Sequence, residues 1–383
     1  MRAEGTRVVF KGRDKKFQRL APRALATAAA AVFVLIAAPL FRVLRPFTTI
    51  FLTFFLLNCG AGPLGPKAVN WVSVAWTGVD VKGVGADKAG AVWLAGEFPA
   101  YTSESRGRLL RWNGSTLREV YVVEEKNSTL CDVDFAGGVG WAVGGYVEGN
   151  ISEPVLLRYE NGNWARVRDI PFSGSPFFAI TVLEPDLFWV VASGSIYKYD
   201  AGNWSPAYEL PEVNGVAAGP SGLVVAWPTA DFIWVFNGKN WVKEFVDLPP
   251  GFSLAGITGV SVTEGAVYLI GVVFNGPYDF NAIISRDLSP AGAGAYELSF
   301  YAPHGPYVYY QNCIAFRDEK NGLTLGPQTH IICEEGIFYE GLLPIEVGSP
   351  EGVVCSEEGK YWMYSLHEGG TYYLYYLNSY KPL

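Results

Sequence analysis

The sequence predicts an all-β fold in which one four-stranded unit repeats around a ring. Three observations carry this. First, a hairpin phrase occurs four times, as "LLRWNGSTLREV" (109–120), "LLRYENGNWARV" (156–167), "IYKYDAGNWSPAY" (196–208) and "FIWVFNGKNWVKEF" (232–245). Each sets alternating apolar and polar residues on both sides of a Gly-containing turn, and Asn-Gly tolerates the positive φ of the tight hairpin turn. Second, the copies are regularly spaced: 40 residues separate Trp164 from Trp204, 37 separate Trp204 from Trp241, and 48 separate Asn113 from Asn161. Strands at this period point to blades of four strands each, a β-propeller. Third, the 383 residues include 44 Gly and 24 Pro and are 15% aromatic, with no long helical periodicity beyond residue 60.

The other strands of each unit lie upstream of the hairpin. Apolar runs "AVWLAGEF" (91–98), "GWAVGGY" (140–146), "LFWVVAS" (187–193), "LVVAW" (223–227) and "AVYLIGVV" (266–273) suit a second strand sandwiched between neighbouring blades. Before each comes a segment of small residues, such as "VKGVGADKAG" (81–90) or "GVAAGPSG" (215–222), which suits an innermost strand lining a crowded channel. Five units follow from this, at about 79–123, 129–170, 177–210, 213–248 and 254–301, and a weaker sixth at 312–347. Residues 352–378 supply three strands of a seventh. Its fourth is expected from "NWVSVAWTG" (70–78), whose Asn-Trp start matches the other fourth-strand phrases, so the N-terminal strand would close the ring and remove its free edges. Seven blades are predicted, with six or eight as the alternatives.

The stretch "WAVGGY…LLRYENGNW" (141–164) resembles kelch-like propellers in its Gly-Gly pair, its following aromatic and its Trp after the third-strand turn. "YDAGNW" (199–204) is similar to an Asp box, one residue shorter. Other units replace the pair by "AGE", "ASG" and "IGV". The resemblance implies the propeller fold over most of residues 79–345. It also implies families that mostly bind other molecules and that include some enzymes.

Three regions are expected: a leader over 1–59, a tether over 60–69 and the propeller over 70–383. Residues 1–45 carry ten basic and two acidic side chains, which leaves nineteen basic against thirty-five acidic side chains in the remainder. Such an acidic body repels nucleic acid, whose affinity comes chiefly from phosphate contacts. The leader holds two apolar runs, 24–41 and 46–62, of the length of a short membrane span or a signal-peptide core. "LLNC" resembles a lipoprotein signal ending at Cys59, although Asn58 stands where a small residue is usual. Translation from Val43 would leave a complete short signal before Cys59. The expected location is extracytoplasmic, either secreted or anchored to the outer face of the cytoplasmic membrane through the N-terminal segment.

Export agrees with the sequons at Asn113, Asn127, Asn150 and Asn203, which are candidate glycosylation sites. Beyond Cys59 the chain has Cys131, Cys313, Cys333 and Cys355. Cys313 and Cys333 are read as lying on the first and second strands of blade six, facing each other across a loop near residue 323, and a disulfide between them is the expectation.

The catalytic inventory is thin. His304, His330 and His367 have no paired spacing, and the acids of "CDVDFAGG" (Asp132, Asp134) and "RDEKNG" (Asp318, Glu319) do not complete a calcium loop, so neither metal nor cofactor is expected. A polysaccharide-acting enzyme would need two carboxylates at the channel mouth, where Asp132, Asp134, Asp186, Glu264, Asp318, Glu357 and Glu358 stand with Arg317. The candidate ligand contacts are Tyr301, Tyr307, Tyr309 and Tyr310 of the "YAPHGPYVYYQN" loop (301–312), with Arg317 and Asp318. The leading reading is a non-catalytic cell-surface propeller that binds a protein or glycan partner or acts as a scaffold. The alternatives are the polysaccharide-acting enzyme and a structural subunit of an envelope or filament assembly.

Overall fold

The computed structural model describes residues 67–100, 102–276, 278–288, 295–303, 311–327, 329–343, 347–367 and 370–382. They form seven antiparallel sheets, the seven blades predicted. The inner strands are Asp80–Ala86, Ser128–Ala136, Phe177–Glu184, Val213–Ala218, Phe252–Val262, Cys313–Asp318 and Ser349–Cys355, in blades one to seven. Each inner strand lies against the next, and that of blade seven lies against that of blade one. Successive strands of a blade step outward in chain order.

Blade seven takes its outermost strand from the other end of the chain. Lys67–Trp76 pairs antiparallel with Thr371–Pro382, with Trp71 opposite Leu377 and Val72 opposite Tyr376. Val81 and Leu94 of blade one share a core cluster with Trp362, Tyr364 and Leu374 of blade seven. The Tyr364 hydroxyl donates to the Lys82 carbonyl at 2.8 Å.

The packing explains the repeated hairpin phrase. Its tryptophan opens the fourth strand and seals the interface with the preceding blade. Trp164 meets Trp93 edge-on at 5.5 Å, and Trp241 meets Trp189 at 5.4 Å. Trp204 sits in one cluster with Trp141 and Val143 of blade two. Trp93, Trp141 and Trp189 are each 1% exposed. Edge-to-face pairs of this kind contribute about 0.5–1.5 kcal/mol beyond the area they bury.

The glycine of the second strand has a steric cause. Inner strands slip register near their starts, between Val81 and Gly83, Leu130 and Asp132, and Ile257 and Gly259. Facing these bulges are Gly96, Gly144 and Gly271, where a Cβ would lie 2.2 Å from the Asp80 carbonyl oxygen, 2.0 Å from that of Thr129 and 2.4 Å from that of Gly256. The bulged backbone occupies the space of a side chain, so these positions take glycine.

Two expectations need correction. In blade three the fourth strand is two fragments, Asn203–Trp204 and Tyr208–Glu209, both paired with Ser195–Asp200. Pro206 lies between them and has no N–H to donate. In blade six Cys333 lies on the third strand (Thr329–Glu334), opposite Gly322, while Cys313 lies opposite Leu325. Cys313 and Cys333 belong to different core clusters, and both thiols are free and buried. The expected disulfide is therefore absent. Asn321-Gly322 reads as a turn, but it opens the second strand. Gly322 stands there because the Phe316 ring lies over it, 2.4 Å from where a Cβ would be.

No helix among the described residues is long and apolar enough to cross a membrane. Cys59 and the two apolar runs of the leader lie outside the described residues.

Candidate binding surface

The topology gives the ring two unlike faces. On the upper face the inner strands begin and the second strands turn into the third. On the lower face the inner strands end and the third strands turn into the fourth.

The lower face is tied together. Arg111 stacks over Trp93 at 5.1 Å, and Asp87 accepts the Trp93 indole N–H at 2.9 Å. Arg158 stacks over Trp141 at 5.2 Å and pairs with Asp186 of the next blade at 2.9 Å. The Trp141 indole donates to the Pro185 carbonyl, again across the blade interface. Blades five and six repeat the device with other residues: Glu319 accepts the Gly265 amide and the Thr263 hydroxyl, and the Tyr268 hydroxyl donates to the Glu319 carbonyl. Arg317 pairs with Asp318 at 2.9 Å. Burial works to raise the Asp318 pKa, but the Lys320 amide, Arg317 and Asn321 outweigh it and hold the carboxyl below its ordinary value.

The upper face carries large apolar side chains open to solvent. In blade two, Val147 and Ile151 flank the second-to-third turn, and Phe274 and Tyr278 flank the same turn in blade five. Phe178 stands at the start of the inner strand of blade three, and Phe245 ends the fourth strand of blade four. Ile151 is 57% exposed, Tyr278 67% and Phe178 47%. Sequence reasoning missed this rim. Its signal was turn residues between apolar ones in "VEGNI" and "FNGPY", which reads as a hairpin and not as a surface.

Tyr301 lies on the fourth strand of blade five, opposite Ala282, toward the upper face. Arg317 and Asp318 lie at the lower end of the inner strand of blade six. The structure does not bring them together. Tyr307, Tyr309 and Tyr310 lie outside the described residues, as does His304.

Of the carboxylates weighed for hydrolysis, Asp132, Asp134, Asp186, Asp318 and Glu358 are engaged, while Glu264 and Glu357 are exposed. Asp132 accepts the Val133 and Ile180 amides at 2.9 and 3.0 Å, and Asp134 accepts those of Phe135 and Val182 at 2.8 and 2.7 Å. Together they strap the inner strand of blade two to that of blade three. Burial raises the Asp132 pKa to about 7 and the Asp134 pKa to about 6, against the opposing pull of the amides. His330 is 1% exposed, and desolvation lowers its pKa to about 4, so its ring is neutral. His367 Nε2 lies 2.6 Å from the Tyr375 hydroxyl. Among the described residues no His, Cys, Asp or Glu group of three or more is arranged to hold a metal ion.

Among the described residues, two clefts are seen at the ring's faces. One of ≈ 160 Å³ is lined on the upper side by Glu97, Ser105, Asn127 and Tyr146; the other, of ≈ 190 Å³, is lined at the lower channel mouth by Lys88, Asp134 and Glu357. Both fall below the roughly 300–1,000 Å³ of ordinary small-molecule pockets. The sequon residues Asn113, Asn127, Asn150 and Asn203 are all exposed, Asn127 and Asn150 toward the upper face and Asn113 and Asn203 at lower hairpins.

The sequence matches no protein-family model and no curated protein. Solved structures do match. A YCF48 structure bound to a D1 peptide superposes with a TM-score of 0.58 at 15% identity, over 83% of this chain and 100% of that one. The WD40 domain of Neurospora crassa Pan2 gives 0.54 at 9% identity, over 83% and 98%. The extracellular domain of the putative hybrid two component system BT4673 from B. thetaiotaomicron gives 0.50 at 11% identity, and this chain spans 40% of its length. At these identities the likeness establishes the fold, a seven-bladed β-propeller.

Proposed function

We propose that this chain is a non-catalytic binding scaffold whose upper face takes a protein partner outside the cytoplasm. The observation that carries the reading is that most of the exposed large apolar side chains, Phe98, Val147, Ile151, Phe178, Phe245, Phe274 and Tyr278, stand at that face, against Val120 and Val242 elsewhere on the outer strands. Scattered surface hydrophobics need no explanation, whereas a set gathered on one face marks an interaction surface. The small clefts, and the amide hydrogen bonds that hold Asp132 and Asp134, favour contact over turnover. The YCF48 propeller bound to a D1 peptide is a precedent for a peptide ligand on this fold, and the BT4673 domain is a precedent for its use outside the cell.

The anchoring follows from the leader. Its apolar runs tether the propeller to the outer face of the membrane, with lipidation at Cys59, and the exposed sequon residues take glycans where the host glycosylates. The first described strand starts at Lys67, opposite Pro382, at the lower face. A tether arriving there presents the upper face away from the bilayer.

The test is cross-linked capture from native membranes with the full chain and with the double variant Ile151→Ser/Phe178→Ser. The expected result is a protein partner held by the wild type and lost by the folded variant. A glycan turned over by the purified protein would overturn the reading, and so would a partner retained in full by the variant.

A further inference from the structure

We propose that the upper face, along the arc from blade two to blade five, recognises a basic polypeptide segment bearing bulky apolar side chains. This rests on the reading of that face as the binding surface and adds the partner's chemistry. Two independent features coincide there. The apolar one is the rim of Val147, Ile151, Phe178, Phe245, Phe274 and Tyr278. The electrostatic one is the set of exposed acids between those side chains: Glu148, Asp169, Glu209, Glu212, Asp231 and Asp247. Among the described residues of this arc, the exposed bases are Arg168 and Lys243, the latter with its ammonium over the Phe232 and Phe245 rings, and none of these six acids forms an ion pair. The lower face has no such imbalance. Exposed Lys88, Lys239, Lys320 and Lys360 alternate with its acids, and Asp186, Asp200 and Asp318 are each paired with a base.

Unpaired acids of one sign repel one another and lower the stability of the folded chain unless a cation shares the surface. Gathered around exposed apolar side chains, they attract a ligand that carries both opposite charge and apolar anchors. Charge steers the encounter, and the anchors hold the complex. An anionic lipid surface or nucleic acid is repelled. A small cation is poorly served, because the acids are spread over three blades. A polypeptide segment alternating Arg or Lys with Leu, Phe or Trp meets both requirements along its length.

The experiment titrates the full chain, held in detergent micelles, against a fluorescein-labelled synthetic peptide of about fourteen residues alternating Arg with Leu and Trp. Control peptides replace the Arg by Ser, the Arg by Glu, or the apolar residues by Ser. Fluorescence anisotropy should show the basic, apolar peptide binding at least tenfold tighter than each control, with affinity falling as salt rises. Ile151→Ser/Phe178→Ser and Glu209→Lys/Asp231→Lys/Asp247→Lys should each weaken it at least tenfold. The lower-face pair Val242→Ser/Glu335→Lys should leave it unchanged. Equal binding of the basic peptide without apolar residues would overturn the proposal, as would indifference to the upper-face variants, or a neutral oligosaccharide binding in place of the peptide and lost in Phe178→Ser. A captured partner that docks on the upper face through an acidic segment would overturn this proposal while leaving the binding-scaffold reading standing. A partner that docks on the lower face would end both.

Discussion

The lower face of the ring is built from repetition and the upper face from variation. Below, the same parts recur from blade to blade: a second-strand Trp, an Arg stacked on it, and a fourth-strand Trp sealed against the neighbouring blade. Above, each blade ends differently, in an apolar hairpin in blade two, a bare Phe178 in blade three and a split fourth strand leading out of blade three. Parts that repeat have one job, to join blade to blade. Parts that differ are free to meet something that is not a blade.

The sharpest way to separate the faces is to remove one side chain from each. Trp93→Ala, below, deletes a 1% exposed ring, its contact with Trp164 and its hydrogen bond to Asp87. The cost should be about 3–5 kcal/mol, read as a lower urea midpoint in equilibrium unfolding. A loss under 1 kcal/mol would mean that the lower face is not the joint of the ring.

Gly144→Ala tests the bulge that lies between the two faces. Its Cβ would meet the Thr129 carbonyl oxygen at 2.0 Å, so backbone must move. About 1–3 kcal/mol should be lost, with the damage in thermal unfolding confined to stability and the blade count unchanged. An unchanged melting temperature would show that the glycine is not a steric requirement.

These two predictions also explain how far the sequence could be read. The hairpin phrases were legible because Asn-Gly or Ala-Gly followed by Trp sits where every third strand meets its fourth, and the ring reuses that joint. The second strands were legible because burial on both faces demands an unbroken apolar run. Blade six misled because Gly322 answers to the Phe316 ring across the sheet and not to a turn, a long-range cause with no local signature. The upper rim was illegible for a related reason. "VEGNI" and "FNGPY" look like any hairpin, and only the three-dimensional ring gathers Ile151, Tyr278 and Phe178 on one side.

The channel acids give a pH dependence. Asp132 and Asp134 have folded-state pKa values raised to about 7 and 6 by burial, above the ordinary carboxylate value they regain on unfolding. The folded chain therefore binds more protons than the unfolded chain between about pH 4 and 7. Their contribution to stability is fully present below that window and is lost as pH rises through 6 and 7. Comparing urea midpoints at pH 5 and pH 8 for wild type and Asp132→Asn/Asp134→Asn should show a smaller drop with rising pH in the variant. An identical drop would remove these residues from the titration.

The smallest expected effect on stability is above. Ile151→Ser and Phe178→Ser alter exposed side chains and should each change unfolding free energy by no more than about 0.5 kcal/mol. Their effect should be seen in partner capture. A cost comparable with that of Trp93→Ala would make the rim a packing feature.

The division of labour between the faces is tested most directly by placing a photo-crosslinking phenylalanine analogue once on each. Tyr278, 67% exposed, serves for the upper face, and Lys239, in the third-to-fourth-strand turn of blade four, serves for the lower. Illumination in native membranes should give partner adducts from position 278 and none above background from position 239. Adducts from position 239 with none from 278, or equal adducts from both, would contradict the account.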